Sequence, residues 1–389
     1  MKPVRILLTG IGGYGENYLK ELLFETQKKA PQVVLEGIAD PFAANSVYSE
    51  EIQSRKIPVY DTPEQFYQDH KADLAVISSP IHLHYPQVMT CLDHSCVLCE
   101  KPLCADLDQA AAIVRKEKET GRFVEVGYQL SFSRDVLALK KDILSGKFGK
   151  PVSMKALHAM RRGSVYYARN GWAGCISKNG CPVYDSPINN ACAHQLHNML
   201  YLLGEDGKAA DPVSAEAVLW KAKPEIENFD AVVVRIQTEI GVPVLYYTAH
   251  CLKSKRIGPV SEYQFEHAVV SFGKNGVSEY EAVLEDGTVI SYAGIDKGDR
   301  LQKFYDALTC LENGTMPACS AETAIPQMKC IEMIQKNPVY RVPREKLSVW
   351  EEEKEGVFYS IPTLEKAFEG WYARAELPQS PEEIFLCHR

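Results

Sequence analysis

The sequence predicts a mixed α/β chain of two domains. A doubly wound parallel sheet spans residues 1–127, and residues 128–389 form an α+β domain with a large, mostly antiparallel sheet and C-terminal helices. Three observations predict this. The chain has 389 residues, beyond the roughly 250–300 at which a single core stops growing. Up to Gly127 short apolar runs alternate with helical stretches, as in consecutive βαβ units. After Gly127 long β-rich runs appear, separated by turn residues such as Glu285-Asp286-Gly287.

The elements follow in order. Val4–Thr9 reads as a buried strand, Tyr14–Glu25 as a helix and Val33–Ala39 as a second strand. A helix over Pro63–His70, a strand at Leu74–Ser78, a helix over His84–His94 and a strand at Val97–Glu100 continue the alternation. Asp106 can N-cap a helix running to Thr120, with Gly121 as its stop, before a strand at Phe123–Gly127. A helix from Ser133 to Leu144 ends at Gly146. Strands are expected at Pro151–His158, Ser214–Trp220, Ala231–Thr238, Val242–His250, Tyr263–Phe272 and Glu279–Leu284. Helices return at Leu301–Leu311, Glu322–Gln335 and Ile361–Arg374.

Composition narrows the class. With 46% hydrophobic and 24% charged residues the chain is globular, which excludes collagen, a disulfide mini-scaffold and a disordered tail. The net charge of −8 is spread along the chain without basic or acidic blocks, so no nucleic-acid or membrane-surface partner is expected. The opening apolar stretch is too short for a signal-peptide core, and no run approaches the ~18–20 apolar residues of a membrane span. A soluble cytoplasmic protein is the expectation. The twelve cysteines are dispersed, and Cys96 and Cys99 point to opposite faces of a strand, so buried free thiols are expected.

Gly10-Ile11-Gly12-Gly13-Tyr14-Gly15 is a G-x-G-x-x-G that follows a strand and opens a helix, the setting of a Rossmann dinucleotide site. The first glycine permits the turn, the second admits a pyrophosphate to backbone amides, and the third lets helix and strand pack closely. Asp40 ends the second strand, where a carboxylate can accept both ribose hydroxyls and repel a 2′-phosphate; its alternative role is to cap the next helix. NAD is therefore expected ahead of NADP, with Arg55 and Lys56 the residues that could favour the latter. Glu100-Lys101-Pro102 stands at the carboxyl end of a strand, where ligands gather in open α/β sheets, and Lys101 can stabilise alkoxide character on a substrate oxygen. A surface ion pair is the plainer alternative.

Together these stretches resemble the Gfo/Idh/MocA family of sugar and cyclitol oxidoreductases. The likeness extends through Ser79-Pro80-Ile81-His82-Leu83-His84, Gly127-Tyr128-Gln129 and the helix end Tyr201-Leu202-Leu203-Gly204. It implies that Ser79, Pro80, His84, Glu100, Lys101 and Gln129 contact the cofactor, beside Gly10, Ile11, Gly12, Gly13, Tyr14, Gly15 and Asp40. It also implies that Lys101 touches both nicotinamide ribose and substrate, that the Lys101-Pro102 bond is cis, and that a homodimer or homotetramer assembles through the open sheet face. Departures occur at Ile81 and Gln129, where the family has asparagine, and at Leu130 and Ser131, where an arginine is common.

Asn189-Asn190-Ala191-Cys192-Ala193-His194-Gln195-Leu196-His197 is similar to the family's D-x-G-x-H-x-x-D, which implies that His194 is the general base. On a helix, positions 190, 194, 197, 198 and 201 share one stripe, opposite Leu196, Met199, Leu200 and Leu203. Asn190 can orient the imidazole but lacks the charge of the family's aspartate. A satisfied polar face is the plainer reading. A metal site from His194, His197, Cys175, Cys181 or Cys192 has no standard ligand spacing, so no metal is expected. The segment Met160–Asp185 reads as a substrate cover or an oligomer contact, with Arg161, Arg162, Tyr166, Tyr167 and Trp172 as its candidates. The expected substrate contacts are Lys101, Tyr128, Arg161, Trp172, His194 and His197, with Lys101, His194 and Asn190 catalytic. The expected activity is NAD-dependent oxidation of a CH-OH group in a sugar, cyclitol or glycoside. An NAD-dependent glycosidase working by transient oxidation and elimination, or a non-catalytic NAD sensor, is the rival.

Overall fold

The structure, a computed structural model, describes residues 3–30, 32–293 and 300–386. It divides into two compact units, Met1–Phe132 with Asp299–Ile325, and Ser133–Gly298 with Pro326–Arg389.

The first unit holds a six-stranded sheet of β1 (Val4–Thr9), β2 (Val33–Ala39), β3 (Val59–Tyr60), β4 (Leu74–Ile77), β5 (Cys96–Cys99) and β6 (Val124–Val126). Every neighbouring pair is parallel, in the order β3-β2-β1-β4-β5-β6. The order reverses between β1 and β4, the switch point outside which ligands bind in such sheets. Ile6, Leu7 and Leu8 of β1 and all four residues of β4 have no exposed surface. Both strands read as continuous apolar runs because helices cover both faces.

The helix Leu107–Thr120 begins where its cap requires: the Asp106 carboxylate accepts from Gln109 N at 2.9 Å, and Gly121 ends it in the left-handed region at φ +66°. The first helix departs from its expected form. Gly15–Lys20 is α-helical, Glu21–Glu25 makes a π-turn, and Thr26–Lys29 resumes the α-helix, so it outlasts the expected end at Glu25. The helix expected at His84 starts at Ile81, directly after Pro80 at its N-cap, and carries Pro86 within it.

The expected boundary at 127/128 needs correction. The first unit runs to Phe132, and 299–325 returns to it. The helix Gln302–Asn313 packs Phe304, Ala307 and Leu308 into the cluster of Ile6, Leu8, Leu19 and Leu23. Its apolar stripe is visible in the sequence, but a stripe does not say which core it joins.

Glu125 of β6 is fully buried, and neither carboxylate oxygen has a hydrogen-bond partner among the described residues. Burial, then the nearby Asp306, raises its pKa well above the usual carboxylate range. A group raised on folding contributes stability that is complete below its unfolded pKa and is lost as pH rises through the folded one. Glu125→Leu therefore stabilises the protein, by about 1–3 kcal/mol at pH 8 and by less near pH 5. Thermal midpoints of both proteins at the two pH values check this; an equal gain at each would contradict it.

The second unit is built on a nine-stranded mixed sheet. In chain order, its elements and two small hairpins are β7 (Pro151–Met160), β8 (Ser177–Lys178), β9 (Cys181–Pro182), β10 (Pro212–Lys221), β11 (Ala231–Thr238), β12 (Pro243–Ala249), β13 (Arg256–Phe265), β14 (Ala268–Phe272), β15 (Tyr280–Leu284), β16 (Val289–Ser291), β17 (Val339–Arg341), β18 (Ser348–Glu352) and β19 (Gly356–Ser360). The large sheet runs β16-β15-β14-β13-β7-β12-β11-β10-β17, parallel only at β7–β12 and β10–β17. The single strand expected over Tyr263–Phe272 is instead the meeting of β13 and β14, which turn back at Glu266-His267. Two polar residues in an apolar run were the only trace of that turn.

Tyr246 and Tyr247 are adjacent in β12 and serve opposite faces. Tyr247 packs with Phe368 and Tyr372 of the helix Leu364–Arg374, in a core that includes Trp220 and Trp371. Tyr246 donates to the Cys192 carbonyl at 2.7 Å, at the start of the helix Ala193–Leu203. No helix among the described residues is long and apolar enough to cross a membrane. All eleven cysteines among the described residues are free thiols.

Candidate functional site

The glycine loop divides its work. A Cβ on Gly10, at φ +77°, would lie 2.7 Å from Ser79 N, and one on Gly15 would lie 2.0 Å from the Gly10 carbonyl. Both positions are closed by backbone, so no larger residue fits. Nothing lies within 4 Å of a Cβ on Gly12 or Gly13. That open space beside exposed backbone at the start of a helix has the form a pyrophosphate requires. Ile11 is buried, and its N–H donates to Asp40 at 2.8 Å, while the other Asp40 oxygen accepts from Phe42 N at 2.8 Å. Asp40 thus ties the glycine loop to the end of β2 and also caps the turn after it. Each oxygen keeps a lone pair for a ribose hydroxyl.

After β5, Glu100 is buried and receives the Tyr18 hydroxyl at 2.7 Å, the Lys303 ammonium, and the Lys101 N–H at 3.4 Å. Lys303 is itself buried, donates to the Gly127 carbonyl at 3.3 Å, and lies 4.6 Å from the Tyr14 ring centroid. Glu100 is therefore an internal anchor, and Lys101, half-buried, is the next residue carried by it. The Lys101-Pro102 peptide is cis. His84 is buried, with one ring nitrogen 2.8 Å from the Pro102 carbonyl and the other 2.9 Å from the Ser79 carbonyl. Both nitrogens are taken, so His84 fastens the Lys101-Pro102 turn to the Ser79 loop and presents neither to a ligand. Ser79 bonds Gln87 at 2.5 Å, Pro80 caps the helix Ile81–Leu92, and Gln129 is half-exposed at the start of a 3₁₀ turn. Sequence reasoning missed Lys303: it lies 203 residues from Glu100, beyond any local pattern.

In the second unit the helix Ala193–Leu203 is buried along its whole length except at His194. Below that residue the expected polar stripe is turned inward. Asn198 donates to the Tyr280 hydroxyl at 2.9 Å, His197 stacks on Tyr201, and the buried Lys140 ammonium caps the helix through the carbonyls of Tyr201, Gly204 and Lys208. Burial, then Lys140, lowers the His197 pKa to about 3, so the ring is neutral. The expected substrate contacts at His197 and Tyr128 are corrected: neither residue exposes any surface. Lys101, Arg161, Trp172 and His194 each keep some.

A second residue missed by the sequence reading sits beside Asn190. Asp185, 2% exposed, accepts from Asn190 Nδ2 at 2.6 Å and from Gly174 N at 2.6 Å. Its carboxylate places beside Asn190 the negative charge that the asparagine itself lacks. Arg161 pairs with Glu352 at 2.8 Å and lies over the Phe358 ring at 4.2 Å and the Trp350 ring at 5.5 Å, which fixes it to the β18–β19 hairpin. Trp172 is half-buried with Arg169 over its ring at 5.5 Å.

Residues 4–128 match the family model described as "Oxidoreductase family, NAD-binding Rossmann fold", GFO_IDH_MocA. This part of the chain is thus similar to the Gfo/Idh/MocA oxidoreductase family. Inositol 2-dehydrogenase of Mycolicibacterium smegmatis is 31% identical over 163 residues, which is 41% of this chain and 45% of the relative. The enzyme of that name from Acidothermus cellulolyticus is 27% identical over 245 residues, 62% of this chain and 66% of the relative. Across the first three inositol dehydrogenases matched, the chain spans 45%, 27% and 55% of the relative's length. Among solved structures, the WlbA dehydrogenase from Bordetella pertussis, in complex with NADH and UDP-GlcNAcA, shares the fold with a TM-score of 0.68 at 17% identity, over 86% of this chain and 96% of that one. The aldose-aldose oxidoreductase from Caulobacter crescentus, complexed with glycerol, does so with 0.68 at 17%, over 86% and 97%. The fold of these solved structures therefore covers residues of both units.

Proposed function

We propose that this protein is an NAD-dependent oxidoreductase acting on a secondary hydroxyl of a sugar, cyclitol or glycoside. The observation that carries the reading is the glycine loop: closed by backbone at Gly10 and Gly15, open at Gly12 and Gly13, and tied to Asp40 at the sheet's switch point. The inositol dehydrogenases and the sugar-binding structures it resembles support the substrate class. When bound, the nicotinamide accepts or returns the hydride. The chain's own groups do the rest. Gly12 and Gly13 leave room for the phosphates, and the Asp40 carboxylate binds the adenosine ribose. The Lys101 ammonium holds the reacting oxygen and stabilises its negative charge, and the His194 imidazole takes the hydroxyl proton. By its resemblance the protein works as a homodimer or homotetramer, with the helix Leu364–Arg374 restricting the sheet face left for that contact.

The test is a panel of polyols, sugars and glycosides incubated with NAD, read by nicotinamide absorbance and by mass spectrometry of keto products. Net reduction with a keto product supports the reading. Glycoside cleavage without net reduction points to the glycosidase, and NAD binding without turnover to a sensor.

Two variants probe the chain's own part. Asp40→Ala weakens NAD about tenfold or more and narrows the preference over NADP, because the paired ribose hydrogen bonds are lost; dissociation constants for both dinucleotides check it. Asp185 is a positioning residue, acting through Asn190. Asp185→Asn lowers kcat about tenfold and moves the acid limb of the pH–rate profile to lower pH, since a lost negative charge lowers an imidazole pKa. A rate loss with an unmoved limb would leave Asp185 a purely structural role.

A further inference from the structure

Within the second unit, between the segment 161–166 and the β18–β19 hairpin, lies a cleft of about 380 Å³, inside the roughly 300–1,000 Å³ usual for small-molecule sites. Arg161, Arg162, Lys255 and Lys354 line it together with Tyr166 and a single acid, Glu355. Arg161 is neutralised by Glu352. Arg162, Lys255 and Lys354 make no ion pair among the described residues, and Arg162 Nε is buried without a hydrogen-bond partner. The Arg162 guanidinium is held in place 4.7 Å from the Tyr166 ring centroid. Such a fixed planar fork suits an oxyanion and loses little entropy on binding one.

The ground behind the cleft carries the same sign. His158 and His250 are buried, each with an Nε2 that has no partner among the described residues. Burial, then Arg256 and Arg162, holds His158 down to about 4; burial, then Arg162 and Lys223, holds His250 well below the usual histidine range. Both rings stay neutral beside Arg162 and Arg256, for which no ion pair is present among the described residues, whereas Lys223 is paired with Asp230 at 3.6 Å. Tyr166 lines the cleft and meets the His250 ring edge-on at 5.5 Å, in the segment that precedes His194 in the chain.

We propose that this cleft is an oxyanion subsite, taking a carboxylate or phosphate of the substrate, so that the compound oxidised is an acidic sugar or cyclitol. The substrate half of this statement rests on the dehydrogenase reading; the anion site does not. The test is calorimetric binding of D-glucuronate, D-glucose 6-phosphate and D-glucose to the full chain, with no turnover read. At least one acidic sugar is expected to bind about tenfold or more tighter than glucose, the worth of one charge-assisted hydrogen bond. Glucuronate ahead assigns a carboxylate, and the phosphate ester ahead assigns a phosphate. Arg162→Gln is expected to bring the affinity ratio close to one, and the exposed Lys354→Ala, which disturbs no packing, to reduce it by a smaller factor. Equal affinities, or a preference unchanged in both variants, overturns the anion site and leaves the dehydrogenase reading intact. A preference that Arg162→Gln abolishes, with only neutral compounds oxidised in the panel, keeps the anion site and overturns the acidic substrate; the same preference with nothing oxidised keeps the site and removes the dehydrogenase reading.

Discussion

His194→Ala lowers kcat about 10²–10⁴-fold, the range expected when a positioned general base is removed, while NAD affinity stays within about twofold because the residue lies outside the glycine loop. The argument starts from burial. Every other residue of the helix Ala193–Leu203 is packed away, and its remaining polar groups have internal tasks: Asn198 with Tyr280, His197 with Tyr201, the C-terminal carbonyls with Lys140. His194 is the one position of this helix, among the described residues, that keeps solvent access, as a group that takes a substrate proton must. Steady-state kinetics with the oxidised member of the panel, alongside NAD titration, checks the split. If His194→Ala keeps kcat within a factor of about three, the base assignment is wrong and Lys101 is left as the proton acceptor.

The largest expected effect on stability is at Lys303. Lys303→Met leaves the buried Glu100 carboxylate facing only the Tyr18 hydroxyl and the Lys101 N–H. Breaking a buried pair from one side costs about 3–5 kcal/mol, because the remaining charge is uncompensated. Denaturant unfolding at neutral pH measures it, and adding Glu100→Gln in the same chain should recover much of the loss, since the orphaned charge is then gone. A cost below about 1 kcal/mol for the single variant would mean that Glu100 is already protonated or solvated, and that the anchor beneath Lys101 is not ionic.

How far the sequence could be read follows from the range of each interaction. The Asp106 cap and Gly121 stop, the glycine loop and the buried strands β1 and β4 all announce themselves within a few residues, and each was legible. The β13–β14 hairpin was not, because two polar residues between apolar runs resemble an alternating strand. The polar stripe from His194 to Tyr201 was legible, although Asn190, expected to share it, precedes the helix in a turn; periodicity places residues on a face without saying what covers it. His194 is accessible and His197 sealed for reasons of tertiary packing alone. Contacts across long separations left no trace at all: Glu100 with Lys303, and the return of 299–325 to the first core. Asp185 lies only five residues before Asn190, yet its use as a charged partner depends on the turn between them, which no motif spacing encodes.

The most direct measurement uses the compound that the panel identifies, deuterated at the carbinol carbon, and weighs the nicotinamide recovered after reaction with the wild type, Lys101→Ala and His194→Ala. The account predicts reduced nicotinamide about one mass unit heavier from the wild type, because the hydrogen passes directly from carbon to the ring, at rates at least about tenfold lower in each variant. Unlabelled nicotinamide from the wild type, or equal rates in all three proteins, would contradict it.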